Sequence, residues 1–185
     1  FRTMGHQKVH LMQASLEEWR DAGGPVDTSP TTVMKAKDLD ISMPTKYQAQ
    51  KPVDVCTMDD MLKFVQNSDD SSTIILDPRG SSFAKKGHIP GARHIPYSTL
   101  VAPDNKLKLK TTDELKEIFA EAGVDIHTDK RIVCSCGSGV SVCHLYLALK
   151  ECGRTGEIVI YDGSWNEWSQ NPDAPKVLPS KAKDS

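Results

Sequence analysis

Short apolar runs alternate with amphipathic segments over most of the chain. Apolar runs rich in β-branched residues predict strands, whereas apolar residues three and four positions apart predict helices. The pattern predicts, in order, a helix near Met58–Gln66, a strand Thr73–Asp77, a short strand near Ala92–Ile95, a helix at about Thr112–Ala122, a strand leading into Cys136, a helix from about Val140 to Cys152 that stops at Gly153, and a strand Glu157–Tyr161. This alternation is typical of an α/β fold, so we expect a parallel sheet flanked by helices on both faces.

The regular pattern is interrupted near both ends. Residues 28–52 are rich in Thr, Ser, Pro and Lys without a sustained apolar period, which predicts an interdomain linker. We therefore divide the chain into an N-terminal segment (1–27), this linker, a main domain (53–172) and a C-terminal tail (173–185).

Composition narrows the classes of function. Of the 185 residues, 38% are hydrophobic and 26% are charged, as in ordinary globular proteins. A formal net charge of −2 gives no sign of nucleic-acid binding, and no long apolar run predicts a membrane span. Five cysteines, three of them clustered between positions 134 and 143, favour a reducing compartment over a disulfide framework.

Candidate chemistry is concentrated where the predicted strand ends at Cys136. Gly137 and Gly139 permit a tight turn that aims several N–H groups at one point, and the following helix directs its positive end there. Lowering a cysteine pKa by two units requires about 2.7 kcal/mol, whereas an exposed helix terminus supplies only about 0.3 to 1 kcal/mol. The loop donors must therefore supply most of the effect, which predicts a thiolate site.

Three other interpretations of this segment exist. Cys136 can be a small buried hydrophobe, which is common for free cysteines. Phosphatase chemistry is disfavoured because its phosphate-clamping arginine position holds Val142, or Val140 if counted from Cys134. A metal site is disfavoured because Cys134-Ser-Cys136 lacks the spacing of zinc ligands and no second Cys/His pair matches, so no metal or other cofactor is expected.

The remaining cysteines and a nearby histidine are interpreted as structural. Cys134 is expected on the opposite face of the strand, and Cys143 on a buried helix stripe with Val140 and Leu147. His144 is interpreted as a helix-surface residue. His88 is expected in a structural turn, and two tryptophans as packing anchors, Trp165 and Trp168.

Arg79 is expected at the same sheet edge as Cys136. It follows the strand that ends at Asp77, and Pro78 keeps Asp77 extended. From spacing alone, Arg79 is either a solvated loop residue or a guanidinium fork suited to a carboxylate.

Three segments resemble the rhodanese superfamily, specifically its 3-mercaptopyruvate sulfurtransferase branch. The loop Cys136-Gly-Ser-Gly-Val-Ser resembles the family's active-site loop, and Gly87-His-Ile-Pro-Gly-Ala92 and Tyr161-Asp-Gly-Ser-Trp-Asn-Glu-Trp168 resemble its two other signatures. The three motifs stand in the family's order. The resemblance implies a rhodanese-like fold for the main domain.

The resemblance also implies roles for the loop and for Arg79. Cys136 would carry sulfur as a persulfide, Ser138 would relay a proton, and Arg79 would hold the carboxylate of 3-mercaptopyruvate. The implied substrate-binding set is completed by loop residues: Gly137, Gly139, Val140 and Ser141. A small thiol, a protein dithiol such as thioredoxin, or cyanide would accept the sulfur and pyruvate would be released.

Alternatives remain open. Thiosulfate is the competing donor, although rhodanese loops tend to carry basic residues beside the cysteine and this loop has none. A non-catalytic rhodanese-like binding module is another possibility, as is an inert fragment. The family's second substrate-binding arginine has no counterpart in this sequence. Lys85 is the candidate to replace it.

The opening residues repeat the pattern of the last signature. Gly5-His-Gln-Lys-Val-His-Leu-Met-Gln-Ala-Ser-Leu-Glu-Glu-Trp19 matches Gly156 to Trp168 in its glycine, apolar strand, small-residue turn and Glu-Trp helix. Because the chain also starts at Phe1, we expect the later part of a two-repeat protein whose missing first repeat is a partner and supplies the family's proton-handling Asp and His. Cytoplasm or mitochondrion is the expected location.

Overall fold

The computed structural model describes Phe1 and residues 8–30, 54–66 and 72–179. Contacts divide the chain into two units, Phe1–Pro52 and Val53–Ser185. Most of the predicted linker lies outside the described residues.

Among the residues of the first unit that the structure describes, one short helix forms, α1 (Leu16–Asp21). A capping box fixes its start: the Glu18 N–H donates to Ser15 Oγ (3.1 Å), and the Ser15 N–H donates to Glu18 Oε2 (2.8 Å). Trp19 Nε1 donates to the carbonyl of Pro25 at 3.0 Å. The Glu-Trp helix predicted here is confirmed, while residues 8–14 adopt no strand.

The second unit is an α/β domain with a five-stranded parallel sheet. Its elements are β1 (Val55–Cys56), α2 (Met58–Gln66), β2 (Thr73–Asp77), α3 (Ser82–Lys86), β3 (Arg93–His94), α4 (Tyr97–Leu100), α5 (Thr112–Glu121), β4 (Arg131–Cys134), α6 (Val142–Glu151), β5 (Ile158–Tyr161) and α7 (Ser164–Trp168). The strands lie in the order β1-β5-β4-β2-β3. The predicted fold class and order of elements are confirmed.

Apolar side chains along the central strands point alternately to the two faces of the sheet and form a core on each face. One face packs Ile74, Leu76 and Ile132 against helices α4, α5 and α6. The other face packs Ile75 and Val133 against α2 and α7. Helices therefore cover both faces, and β2 and β4, which are adjacent at the centre, are buried on both sides.

Helix α6 begins later than predicted, and this changes which residues it buries. It starts at Val142, and its buried residues are Val142, Leu145, Ala148 and Leu149. The prediction that Cys143 lies on a buried stripe with Val140 and Leu147 is wrong: Cys143 is exposed, Val140 is 72% exposed and Leu147 is half-buried. The turn at Gly139 occupies the residues that periodicity had assigned to the helix.

Residues beyond 172 pack against the domain as far as the structure describes them. Trp168 Nε1 donates to the carbonyl of Pro175 at 2.8 Å, and Ala174 is buried. His88 and Val177 exchange backbone hydrogen bonds of 2.9 and 3.0 Å. In the described ranges, no helix is long and apolar enough to cross a membrane.

Candidate functional site

The carboxyl ends of β2, β3 and β4 border a cavity of about 450 Å³. Six residues predicted for the site line it: Arg79, Cys136, Gly137, Ser138, Val140 and Ser141. Four residues that the sequence analysis had not assigned to the site also line it: Gly80, Ser82, Tyr97 and His144. Parallel strands thus gather the predicted residues at one edge, as expected for this class of sheet.

The thiol of Cys136 lies inside the loop and accepts several hydrogen bonds. Its side chain is only 1% exposed. Burial raises the pKa of the thiol, but the Ser141 hydroxyl and the backbone N–H groups of Ser138, Val142 and Ser141 donate to the sulfur and outweigh that effect, so the pKa is lowered from its ordinary value. The prediction of a donor loop around this sulfur is confirmed.

Cys134, two residues earlier on the same chain segment, behaves in the opposite way. It is fully buried in the core, and burial raises its pKa. Burial similarly raises the pKa of Cys56 to about 12. The contrast indicates that the loop, and not burial near the strand end, favours the thiolate of Cys136.

The start of α7 holds the Cys136 loop in position. The Cys136 N–H donates to Ser164 Oγ (3.1 Å), and that hydroxyl donates to the Tyr161 carbonyl (2.7 Å). The N–H groups of Trp165 and Asn166 donate to the Cys136 and Gly137 carbonyls, both at 3.0 Å. These bonds fix the backbone at the start of the loop, whose later N–H groups donate to the sulfur.

Ser164 was interpreted from sequence only as part of a turn. It is fully buried and adopts a φ of 52°, which is uncommon for a residue other than glycine. Its position in the third signature was the available signal, but only the structure shows that it supports the Cys136 backbone.

The two loop glycines differ in how strictly the structure requires glycine at their positions. Gly139 has a φ of +77°, and an added Cβ would lie 2.5 Å from Asp162 Oδ1 and 2.8 Å from its carbonyl oxygen. Gly139 itself does not line the cavity, so its effect is on the shape of the loop. A Cβ at Gly137 would make only an ordinary contact, 3.9 Å from Arg79 Cδ.

Arg79 stands at the predicted edge, but most of its fork is already bound. Its Nε and Nη2 donate to the Asp77 carboxylate at 2.7 to 3.0 Å, and Nη2 also donates to the Gly87 carbonyl at 3.0 Å. The guanidinium carbon lies 5.2 Å from the centre of the Trp165 ring and 5.8 Å from that of Phe83. Nη1 is buried and lacks a partner among the described residues, so the expected bidentate fork is not free for a ligand in this conformation.

Two further expectations concern Ser138 and Lys85. Ser138 donates its backbone N–H to the sulfur, whereas the hydroxyl that reaches the sulfur belongs to Ser141. Ser138 is exposed, and the proton relay through its hydroxyl stays a prediction. Lys85 is exposed on α3 and is not part of the cavity wall.

Tyr97 and His144 form a second wall that the sequence analysis missed. Their ring centres lie 5.3 Å apart with a tilt of 44°. Tyr97 follows β3 directly, and its N–H donates to the Pro78 carbonyl at 2.8 Å, next to Arg79. The signal for Tyr97 was its place after a strand end. His144, which the sequence analysis interpreted only as a helix-surface residue, is half-buried and lines the same cavity as Ser141.

Replacing Ser141 with alanine is expected to raise the Cys136 pKa. A hydrogen bond to a charged group contributes about 1.5–3 kcal/mol, so its loss corresponds to about one to two pKa units and about a tenfold slower alkylation at neutral pH. Rates of Cys136 alkylation by iodoacetamide across a pH series would measure this change. Ser138→Ala is the matched control, because its backbone donor is retained; equal rates for the two variants would contradict the assignment.

A family model for the rhodanese-like domain matches residues 60–171. The chain is 33% identical over 95% of its length to the mitochondrial thiosulfate/3-mercaptopyruvate sulfurtransferase 1 of Arabidopsis thaliana, of which the match covers 50%. It is 30% identical over 91% of its length to the 3-mercaptopyruvate sulfurtransferase of Mus musculus, of which the match covers 55%. The chain thus spans about half the length of the curated relatives it matches.

Solved structures agree with this relationship. The crystal structure of SseA from Escherichia coli, described as a 3-mercaptopyruvate sulfotransferase with a rhodanese fold, superposes with a TM-score of 0.67 at 30% identity. The match covers 89% of this chain and 59% of SseA. Together with the donor loop at Cys136, the family match confirms the resemblance inferred from the three motifs: the chain belongs to the rhodanese-like domain family.

Proposed function

We propose that this protein is a sulfurtransferase that carries sulfur as a persulfide on Cys136, with 3-mercaptopyruvate as the donor. The observation that carries the proposal is the sulfur of Cys136, which accepts hydrogen bonds from the loop and has a lowered pKa at the wall of a cavity that also contains Arg79. The names of the relatives from Arabidopsis and mouse support the same reaction class.

In the proposed first step, the Cys136 thiolate attacks the sulfur of the donor. The carbon fragment leaves as the enolate of pyruvate, and Ser138 relays a proton. The N–H groups of Ser138, Ser141 and Val142 stabilise the negative charge on sulfur before and after transfer. In the second step, an acceptor removes the outer sulfur and regenerates the thiolate.

The donor is proposed from the charges at the cavity. Arg79 brings a positive charge to the cavity wall, which favours a carboxylate, and the loop residues Gly137, Gly139, Val140 and Ser141 add no positive side chain. Thiosulfate remains the second candidate donor, because relatives such as the enzyme of Gallus gallus are named thiosulfate sulfurtransferases. The proposed acceptors are a small thiol, a protein dithiol such as thioredoxin, or cyanide.

Mass spectrometry after incubation with mercaptopyruvate tests the proposal. We expect a gain of one sulfur atom on Cys136 that a reductant removes, together with release of pyruvate. Thiosulfate is tested in parallel as the competing donor. If neither donor adds sulfur to the protein, including a form that contains any preceding repeat, the non-catalytic binding module is the better interpretation.

We also propose that the first unit belongs to a preceding rhodanese repeat, the domain division made from sequence. Apolar side chains around α1 are exposed, including Leu11, Met12, Leu16 and Trp19. Exposed apolar groups this close together are typical of a surface that another segment covers. The relatives are about twice as long as the match, which leaves room for such a repeat.

In the isolated chain, we expect limited proteolysis to cleave residues 8–26 rapidly. In a protein that includes the preceding repeat, we expect the same residues to resist cleavage. Size-exclusion chromatography with intact-mass analysis would follow both forms. If this chain alone is a monomer whose residues 1–26 are protected from proteolysis, the proposal of a preceding repeat as partner is contradicted. The proposed compartment is the cytoplasm or the mitochondrion, which agrees with five free cysteines and with the name of the Arabidopsis relative.

A further inference from the structure

A half-buried imidazole lines the cavity beside Cys136, and the first step of the proposed reaction does not use it. His144 follows Ser141, the N-cap residue of α6, by three positions, so both lie on the same face of the helix. The Ser141 hydroxyl donates to the Cys136 sulfur, and the His144 N–H donates to the Ser141 carbonyl at 3.2 Å. The backbone that carries His144 is therefore bound to the residue that contacts the reactive sulfur.

The two ring nitrogens of His144 have different surroundings. Nδ1 is enclosed by protein and has no hydrogen-bond partner among the described residues. Nε2 is not enclosed, and no residue in the described ranges forms a hydrogen bond with it. The Tyr97 ring packs against the imidazole, with ring centres 5.3 Å apart. Nε2 is thus the ring nitrogen that a molecule entering the cavity can meet.

The rim of the cavity is apolar and open to solvent. Val140 is 72% exposed and Tyr97 is 44% exposed, and both line the cavity together with His144. A small molecule can therefore enter beside these two side chains. Their carbon surfaces suit the organic part of a small thiol, which would reach the imidazole and the Cys136 sulfur from the same cavity.

We propose that His144 is the catalytic base of the second step, in which a small organic thiol takes the outer sulfur from Cys136. This inference rests on the proposed function and concerns its acceptor. A free thiol has a pKa of about 8.5, so only a small fraction of it is thiolate at neutral pH. Among the described residues that line the cavity, His144 carries the side chain best suited to take up and release a proton near neutral pH.

The step balances without a further reactant. Nε2 takes the proton of the acceptor thiol, and the resulting thiolate attacks the outer sulfur of the Cys136 persulfide. A sulfur–sulfur bond forms to the acceptor, and the bond between the outer sulfur and the Cys136 sulfur breaks. The electron pair of that bond stays on Cys136, whose sulfur accepts hydrogen bonds from the loop. The imidazolium then returns its proton to the transferred sulfur, so the products are an organic persulfide and the Cys136 thiolate.

Two variants of His144 separate proton transfer from hydrogen bonding. In His144→Gln, the side-chain amide can still form a hydrogen bond near the position of Nε2, but it does not take up a proton at neutral pH. His144→Leu removes both properties. His127→Leu is the matched control, because His127 is exposed and lies outside this cavity.

Cys136 is first converted to the persulfide with inorganic polysulfide, which avoids the mercaptopyruvate step. Loss of the outer sulfur is then followed by mass spectrometry at neutral pH with two acceptors, 2-mercaptoethanol and sulfite. Sulfite attacks through a sulfur lone pair and gives thiosulfate without releasing a proton. With 2-mercaptoethanol, we expect both His144 variants to react at least about tenfold more slowly than the wild type and the His127 variant. With sulfite, we expect all variants to react at about the wild-type rate.

Three results would overturn the inference. Equal losses with both acceptors would assign His144 a structural role, and a Gln variant as fast as the wild type would assign it a hydrogen bond in place of proton transfer. Unchanged rates in the Leu variant would remove His144 from this step and leave the sulfurtransferase proposal standing. A wild-type protein that forms no persulfide with either polysulfide or mercaptopyruvate would exclude the proposed function itself, and this inference with it.

Discussion

Replacing Cys136 with serine is expected to abolish sulfur transfer while the fold is retained. A serine hydroxyl is a far weaker nucleophile at neutral pH and cannot hold a persulfide, so turnover should fall by at least about a thousandfold. The loop should keep its shape, because the bonds that anchor position 136 to Ser164 and Trp165 come from its backbone. Steady-state release of pyruvate from mercaptopyruvate measures the loss, and circular dichroism checks the fold.

Cys134→Ser and Cys143→Ser are the matched controls. Cys134 is buried in the core with a raised pKa. Cys143 is exposed as a whole residue, but partial burial of its thiol raises its pKa, so neither cysteine favours the thiolate. Most activity should remain in the Cys143 variant and in any folded Cys134 variant. An active Cys136 variant beside an inactive, folded Cys134 variant would move the reactive sulfur to Cys134.

The strands and the position of the site could be predicted because buried strands carry a strong local signal. Ile74–Leu76 and Ile132–Val133 are short apolar runs that end at Asp77 and Cys134, and the structure places them side by side at the centre of the sheet. Since carboxyl ends of neighbouring parallel strands share an edge, Arg79 and Cys136 were expected to lie close together, and both line the cavity.

The parts that could not be predicted depend on contacts between distant segments. The true start of α6 is set by the turn at Gly139, whose α-carbon fits against Asp162, and apolar spacing does not encode this contact. Likewise, Asp77 was identified as the end of a strand, but its ion pair with Arg79, two residues further on, was not predicted from the sequence. The place of His144 at the cavity could not be predicted either. Its environment is created by Tyr97, which follows a different strand.

Arg79→Lys is expected to reduce mercaptopyruvate turnover by about 10- to 100-fold, the effect of losing about 1.5–3 kcal/mol from a hydrogen bond to a charged group. In this structure, the arginine does two things at once: Nε and Nη2 bind Asp77, while the guanidinium brings its positive charge to the cavity wall. A lysine keeps the charge but has one nitrogen, so it cannot remain bound to Asp77 in this geometry and also hold its charge at the cavity wall. Steady-state kinetics with mercaptopyruvate measures the loss.

Persulfide formation from inorganic polysulfide shows whether the Arg79 variant keeps an intact Cys136 loop, because that donor has no carboxylate to bind. We expect it to react at about the wild-type rate, so that the defect is confined to the carboxylate donor.

Arg93→Lys is the matched control: Arg93 lies on β3 and donates to the carbonyls of Ala122 and Gly123, away from the cavity. Unchanged mercaptopyruvate turnover in Arg79→Lys, or equal use of mercaptopyruvate and thiosulfate by the wild type, would contradict a carboxylate site at Arg79. An equal loss with polysulfide would instead show that the ion pair with Asp77 supports the loop. The structure provides a route for this effect, because the guanidinium lies over the Trp165 ring and the Trp165 N–H donates to the Cys136 carbonyl.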